Sequence, residues 1–226
     1  MIILNTKTMN KSEIKMDLGD VSVAANLAQP KVPVAMVIFA HGSGSSHLSP
    51  RNNFVADVLN QNSITTLLAD LLTPEEDEIY ENRFNIDLLT DRLIRLTEKA
   101  LEQFAFDDLP IGFFGASTGA ASALDAAAFL GDTIKAVVSR GGRPDLAKNL
   151  KAVKAPTLLI VGSLDTDVIK LNKKAYDQLK CDRKIEIVDG ASHLFEEPGT
   201  LNEVANLASS WFDLYLCNNM IEERAQ

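Results

Sequence analysis

Six mainly apolar runs constrain this chain more than anything else in it: Val34–Ala40, the less pure Ile64–Leu72, Ile111–Phe114, Ile134–Val138, Leu158–Val161 and Ile185–Val188. A strand that is apolar on both faces must be covered on both faces. The stable solution is a mostly parallel sheet between two layers of helices. Helical patterns fall between the runs. Ser49-Pro50 offers a start signal, followed by Phe54, Val55, Val58 and Leu59 as an inward face. Leu89, Leu93, Leu96, Ala100 and Phe104 form a long stripe, Thr118–Leu130 is rich in alanine, and Val204, Leu207, Trp211 and Leu214 make a last amphipathic face.

The opening reads differently. Ile14, Met16 and Leu18 alternate with charged residues, Gly19-Asp20 follows, and Val21, Val23, Ala25 and Leu27 alternate again. That is the pattern of an antiparallel hairpin at a sheet edge. The expectation is about eight strands and about six main helices in one α/β domain spanning residues 1–226. The segment between the Ile134 and Leu158 strands is only about twenty residues, which leaves room for one short helix and no lid domain.

A chain of 226 residues buries a full core without disulfides or metals. Its net charge of −9 repels phosphate backbones and gives no attraction to anionic membranes, so neither nucleic acid nor membrane is expected as a partner. Cys181 and Cys217 sit in no metal-like or paired spacing, which suits a reducing compartment. Met1–Leu4 is too short for the apolar core of a signal peptide, and Asn5 to Lys15 is polar. No run of about eighteen apolar residues exists. The expected location is cytoplasmic.

Gly115-Ala116-Ser117-Thr118-Gly119 stands directly between a strand and the alanine-rich helix. A serine there projects its hydroxyl above the sheet only through a tight, strained turn, and small residues two before and two after it let the chain make that turn. The helix then aims its first amides and positive dipole end at the site. Ser117 is therefore the candidate nucleophile.

A serine hydroxyl needs a base within hydrogen-bond reach. Of the three histidines, His193 follows the last strand in Gly190-Ala191-Ser192-His193, at the same sheet edge as Ser117. His41 reads as a structural hydrogen-bonder and His47 as solvent-exposed. The imidazole needs a carboxylate to hold its tautomer. Asp165, after Leu158–Val161 and Gly162-Ser163-Leu164, is favoured over Asp167, which reads as the cap of the next helix. His41-Gly42-Ser43-Gly44 follows the first apolar strand. Its flexible backbone would supply an oxyanion donor, the Ser43 amide or, second, the Gly44 amide, beside the Thr118 amide. The loop lacks the spacing of a P-loop or a dinucleotide site.

Taken in order, these four motifs resemble the dienelactone-hydrolase-like branch of the α/β-hydrolase superfamily over residues 32 to 214. The resemblance implies a carboxylic-ester hydrolase acting on a small ester, with no cofactor and no metal. Dienelactone hydrolases proper use a cysteine nucleophile, whereas this chain has Ser117. Ser49-Pro50-Arg51-Asn52 and Ser139-Arg140-Gly141-Gly142-Arg143-Pro144 resemble a bacterial subgroup in which the domain is sometimes joined to a phosphoribosyltransferase-like domain.

Arg51, Arg140 and Arg143 fall at the catalytic edge and are candidates for binding an anionic substrate group, with loop bracing as the plain alternative. Glu75-Glu76-Asp77-Glu78 reads as a solvated loop, Glu196 and Glu197 as rim or solvated residues, and Trp211 as core. Against the serine hydrolase stand two alternatives. One is a catalytically weak binding protein that keeps the fold, and the other is a partner of a phosphoribosyltransferase.

Overall fold

The computed structural model of the chain describes residues 9–104 and 109–217. The opening Met1–Leu4, with the rest of residues 1–8, lies outside the described residues. Eight strands form one sheet in the order β1-β2-β4-β3-β5-β6-β7-β8. The N-terminal hairpin β1 (Met9–Asp17) and β2 (Ser22–Pro30) pairs antiparallel and joins β4 antiparallel. The rest is parallel: β3 (Ala35–Ala40), β4 (Ile64–Ala69), β5 (Ile111–Ala116), β6 (Ile134–Arg140), β7 (Thr157–Gly162) and β8 (Arg183–Val188). The alternating opening runs and the later runs through β7 thus fold as their patterns require, whereas β8, at the sheet edge, is not covered on both faces and leaves Ile187 42% exposed. Gly19 turns the hairpin at φ 96°.

Successive residues of each central strand feed opposite cores, as the two-residue period demands. Met36, Ile38, Phe113, Val137 and Leu159 pack with α3 (Ile86–Phe104), α4 (Thr118–Leu130) and α5 (Thr166–Gln178). Val37, Phe39, Phe114, Val138 and Ile160 pack with α1 (Pro50–Gln61) and α6 (Thr200–Phe212). Ser49 caps α1 by accepting from the Asn52 amide at 3.3 Å, with Pro50 in the first turn.

Several expectations change. Phe54 is 37% exposed rather than inward, because Val55 and Leu59 already fill the face of α1 toward the sheet. The β6–β7 connection holds two 3₁₀ turns, Pro144–Leu146 and Leu150–Ala152, in place of one short helix. The Asp125 carboxylate on α4 accepts from the Lys148 and Asn149 amides at 2.8–3.0 Å, which holds this segment against α4 in a non-helical path. The acidic run is not simply solvated. Pro74–Asp77 is a short helix, α2, with a reciprocal Thr73–Glu76 capping box, and Glu76 is the counter-charge for Arg92, which is 2% exposed on α3.

Candidate active site

The elbow at Ser117 follows from two close approaches. A Cβ on Gly115 would stand 2.5 Å from the Ala120 Cα, and one on Gly119 would stand 2.2 Å from the Ala40 carbonyl oxygen. Only glycine lets α4 start this close to the ends of β5 and β3. Ser117 itself has φ 51° and ψ −121°, a conformation that side-chain-bearing residues rarely adopt. Backbone hydrogen bonds hold it there. Its N–H donates to the Arg140 carbonyl at 3.2 Å, and its carbonyl accepts from Ala120 and Arg143 N–H at 3.1 and 3.0 Å.

Asp165 and His193 meet through two loops laced together. Ser163 N–H donates to the Val188 carbonyl at 2.9 Å and Leu164 N–H to the Ala191 carbonyl at 3.0 Å. His193 Nδ1 and the Asp165 Oδ2 lie 2.6 Å apart, a charge-assisted distance. The Asp165 side chain is 17% exposed and that of His193 38%. Asp165, not Asp167, holds the cap position of α5, and its carboxylate is engaged by the imidazole instead of capping. Asp167 is 87% exposed and paired only with Lys170. The end of β6 joins this dyad to the elbow. Arg140 accepts from Ser117 N–H, while a Cβ on the next residue, Gly141, would lie 3.0 Å from the His193 carbonyl oxygen and 3.6 Å from its ring Cε1. Ser117 Oγ makes no hydrogen bond to His193 here. In unliganded sites such catalytic hydrogen bonds are often long and tighten when substrate binds.

Ser43 and Thr118 are adjacent. The Ser43 amide donates to Thr118 Oγ1 at 2.9 Å, so the loop after β3 is pinned to the first residue of α4. Thr118, the first residue of the helix, has no intrahelical acceptor for its own amide. Gly44 takes φ 65°, and a Cβ there would approach Arg83 Nη1 at 3.9 Å. Sequence reasoning passed over Arg83. Its Nε and Nη2 are held bidentate by Asp77 at 2.8 Å, and its side chain is 31% exposed.

His41 is buried, with Nδ1 2.9 Å from the Gly42 carbonyl and Nε2 accepting from Leu71 N–H at 3.0 Å. Desolvation lowers its pKa below the ordinary histidine value and keeps it neutral. His47 is not solvent-exposed as expected: it is 7% exposed. Asp70 at the end of β4 takes both its amide, at 2.7 Å, and its Nδ1, at 2.9 Å. The two histidines brace the Gly-rich loop rather than react.

The three arginines separate. Arg143 is clamped by Asp145 at 2.8 and 2.9 Å and has the character of a loop brace. Arg51 reaches Glu196 at 3.1 Å, and Arg140 reaches only the Asn52 Oδ1, at 3.3 Å. Glu197 accepts from the Ser192 amide at 3.0 Å and steadies the histidine loop. Trp211 packs in the α1/α6 core and donates to the Pro156 carbonyl at 3.3 Å. Both cysteines are free. Cys181 lies beside Thr157, at the opposite end of β7 from the site, and burial raises its thiol pKa. Burial and then Asp213 push Cys217 up to about 11. Among the described residues, no group of three or more His, Cys, Asp or Glu is placed to hold a metal ion, and no helix is long and apolar enough to cross a membrane.

Sheet order, elbow and histidine–carboxylate pair together define an α/β-hydrolase fold. A crystal structure of a dienelactone hydrolase from Anabaena variabilis is 50% identical in sequence, with a TM-score of 0.89 over 92% of this chain and 99% of that one. The chain belongs to the dienelactone hydrolase family. Est1E from Butyrivibrio proteoclasticus shares the fold at 18% identity, with a TM-score of 0.74 over 95% of this chain and 99% of that one. Two Mycobacterium tuberculosis proteins, provisionally named phosphoribosyl transferases, are each 50% identical over 210 residues, 92% of this chain. The match takes in 47% of each, so the chain spans about half the length of these curated relatives. No protein-family profile matches the sequence.

Proposed function

We propose that this hydrolase cleaves a small carboxylic ester through an acyl-enzyme on Ser117. The observation that carries the reading is the 2.6 Å His193–Asp165 contact at the sheet edge that also presents the strained Ser117. With Nδ1–H held by Asp165, the imidazole keeps Nε2 as a base. Ser117 Oγ attacks the ester carbonyl carbon while His193 Nε2 takes its proton. The Thr118 amide, and the Ser43 amide on exchanging Thr118 Oγ1 for substrate, stabilise the oxyanion. Collapse of the tetrahedral intermediate expels the alkoxide, which takes the proton from His193. Water, deprotonated by the same base, then releases the acid. Two free thiols fit a reducing, cytoplasmic setting. The test is labelling by a serine-directed fluorophosphonate together with turnover of p-nitrophenyl acetate. Ser117→Ala should abolish labelling and lower kcat about a million-fold. Absence of both labelling and turnover in the native chain would favour a binding protein that keeps only the fold.

A second reading rests on the two longer mycobacterial relatives named as phosphoribosyl transferases. In it the hydrolase works beside such an enzyme as a physical partner. Affinity capture of the native chain with a phosphoribosyltransferase from the same cells supports it, and capture of neither partner by the other refutes it.

A further inference from the structure

One buried amide joins the helix that carries Asp165 to the segment that meets both Ser117 and His193. Asp165 stands at the N-cap of α5, and only two of the thirteen residues of that helix are buried, Asn172 and Ala175. Asn172 has no exposed surface and is the nearer of the two to Asp165. Its Nδ2 donates twice: to the Val168 carbonyl one turn back in α5, at 2.8 Å, and to the Gly142 carbonyl, at 3.0 Å. Its Oδ1 is buried with no partner. An apolar side chain would fill the position without leaving an acceptor unsatisfied, so packing alone does not account for an amide there.

Gly141, Gly142 and Arg143 follow one another and each touches a different part of the site. Gly141 N–H donates to the Ile160 carbonyl of β7 at 2.8 Å, and a Cβ on Gly141 would meet the His193 carbonyl oxygen and ring. Arg143 N–H donates to the Ser117 carbonyl at 3.0 Å. Between them Gly142 lies so close to Ser139 Oγ and the Ala120 Cβ of α4 that a Cβ there would overlap both. With no slack on that side, a shift of the segment is passed to Ser117 and His193 together. We propose that Asn172 is a positioning residue for the site formed by Ser117, Asp165 and His193. It hydrogen-bonds to none of the three. Its bond to Val168 holds the amide in place on α5, and its bond to Gly142, across 30 residues of sequence, fixes the height of α5 against the Gly141–Arg143 segment. Asp165, at the head of α5, is thereby kept in register with His193. Without the bond to Gly142 the helix slides along the segment while its internal hydrogen bonds stay intact. This inference rests on the hydrolase reading above and adds a residue outside the triad to it.

Asn172→Ser separates the two bonds. A serine hydroxyl within a helix reaches the carbonyl four residues back, so this variant keeps the tie to Val168 and loses the one to Gly142. Asn172→Ala loses both. Ser139→Ala is the control, because Ser139 Oγ is buried beside Gly142 with no partner. With p-nitrophenyl acetate, well below each variant's Tm, Asn172→Ser and Asn172→Ala should lower kcat about tenfold to a hundredfold with KM unchanged, the effect of a misplacement of about 1 Å or less. Ser139→Ala should keep the native kcat. In proton NMR spectra the downfield resonance of the Nδ1–H that His193 shares with Asp165 should be sharp in the native chain and in Ser139→Ala, and broadened or lost in Asn172→Ser. A folded Asn172→Ser with a lower Tm but native kcat and a native downfield resonance overturns the proposal, since a packing role alone gives that pattern. An equal loss of kcat in Ser139→Ala also overturns it by tracing the effect to crowding at Gly142. Should Asn172→Ala fail to fold, the serine variant decides. Failure of native Ser117 to take a serine-directed fluorophosphonate sinks the hydrolase reading, and the downfield resonance then judges by itself whether Asn172 keeps Asp165 on His193.

Discussion

Gly119→Ala separates tertiary from local physics at the elbow. Gly119 is in the first turn of α4, where alanine is the better helix former by up to about 1 kcal/mol. Helix propensity alone therefore expects a more stable protein. The structure demands the reverse. The added Cβ would fall 2.2 Å from the Ala40 carbonyl oxygen, 2.5 Å from that of His41 and 2.6 Å from the Ala40 carbonyl carbon. All three atoms are backbone, so no rotamer relieves the overlap. The end of β3 and the start of α4 must part by at least 0.8 Å to bring the nearest contact out to 3.0 Å. Overpacking of this kind costs about 1–3 kcal/mol, and a net loss of about 2 kcal/mol lowers Tm by about 4–8 °C in a chain of this size. The displaced atoms carry the Ser43–Thr118 contact and the serine, so kcat/KM for p-nitrophenyl acetate should fall about a hundredfold. Thermal melts followed by circular dichroism and the ester assay read both effects. A variant with a Tm at or above the native value and undiminished kcat/KM would refute the reasoning.

Two further predictions follow from the same geometry. Asp165→Asn should reduce kcat about ten-thousand-fold by losing control of the His193 tautomer, whereas Asp167→Asn, at an exposed position, should leave turnover at the native level; the opposite ranking would reassign the acid. His41 has a depressed pKa in the folded chain, so the stability it contributes is complete above about pH 6.5 and is lost as pH falls, because the unfolded chain takes up the proton first. Urea midpoints should therefore drop between about pH 7.5 and about pH 5, and less steeply in His41→Asn; an unchanged slope in that variant contradicts the assignment.

The sequence was enough for the sheet and for placing Ser117, Asp165 and His193 after strand ends. Two-residue alternation against continuous apolar runs separates the antiparallel hairpin from the parallel core, since each pattern reports how many faces of a strand are covered. The glycines around Ser117 and the positions of Asp165 and His193 after strand ends are likewise local signals. What the sequence could not supply was pairing between distant polar groups. His47 looked exposed until β4 placed Asp70 beside it, and the acidic run looked solvated until α3 brought Arg92 to Glu76. Arg143 and Arg140 sit three residues apart in one loop-proximal motif, yet one finds a carboxylate and the other only an amide oxygen and a ring. That difference depends on which elements converge on each guanidinium. Electrostatic compensation acts through space between segments as far apart in sequence as Arg51 and Glu196, and only the packed chain decides it.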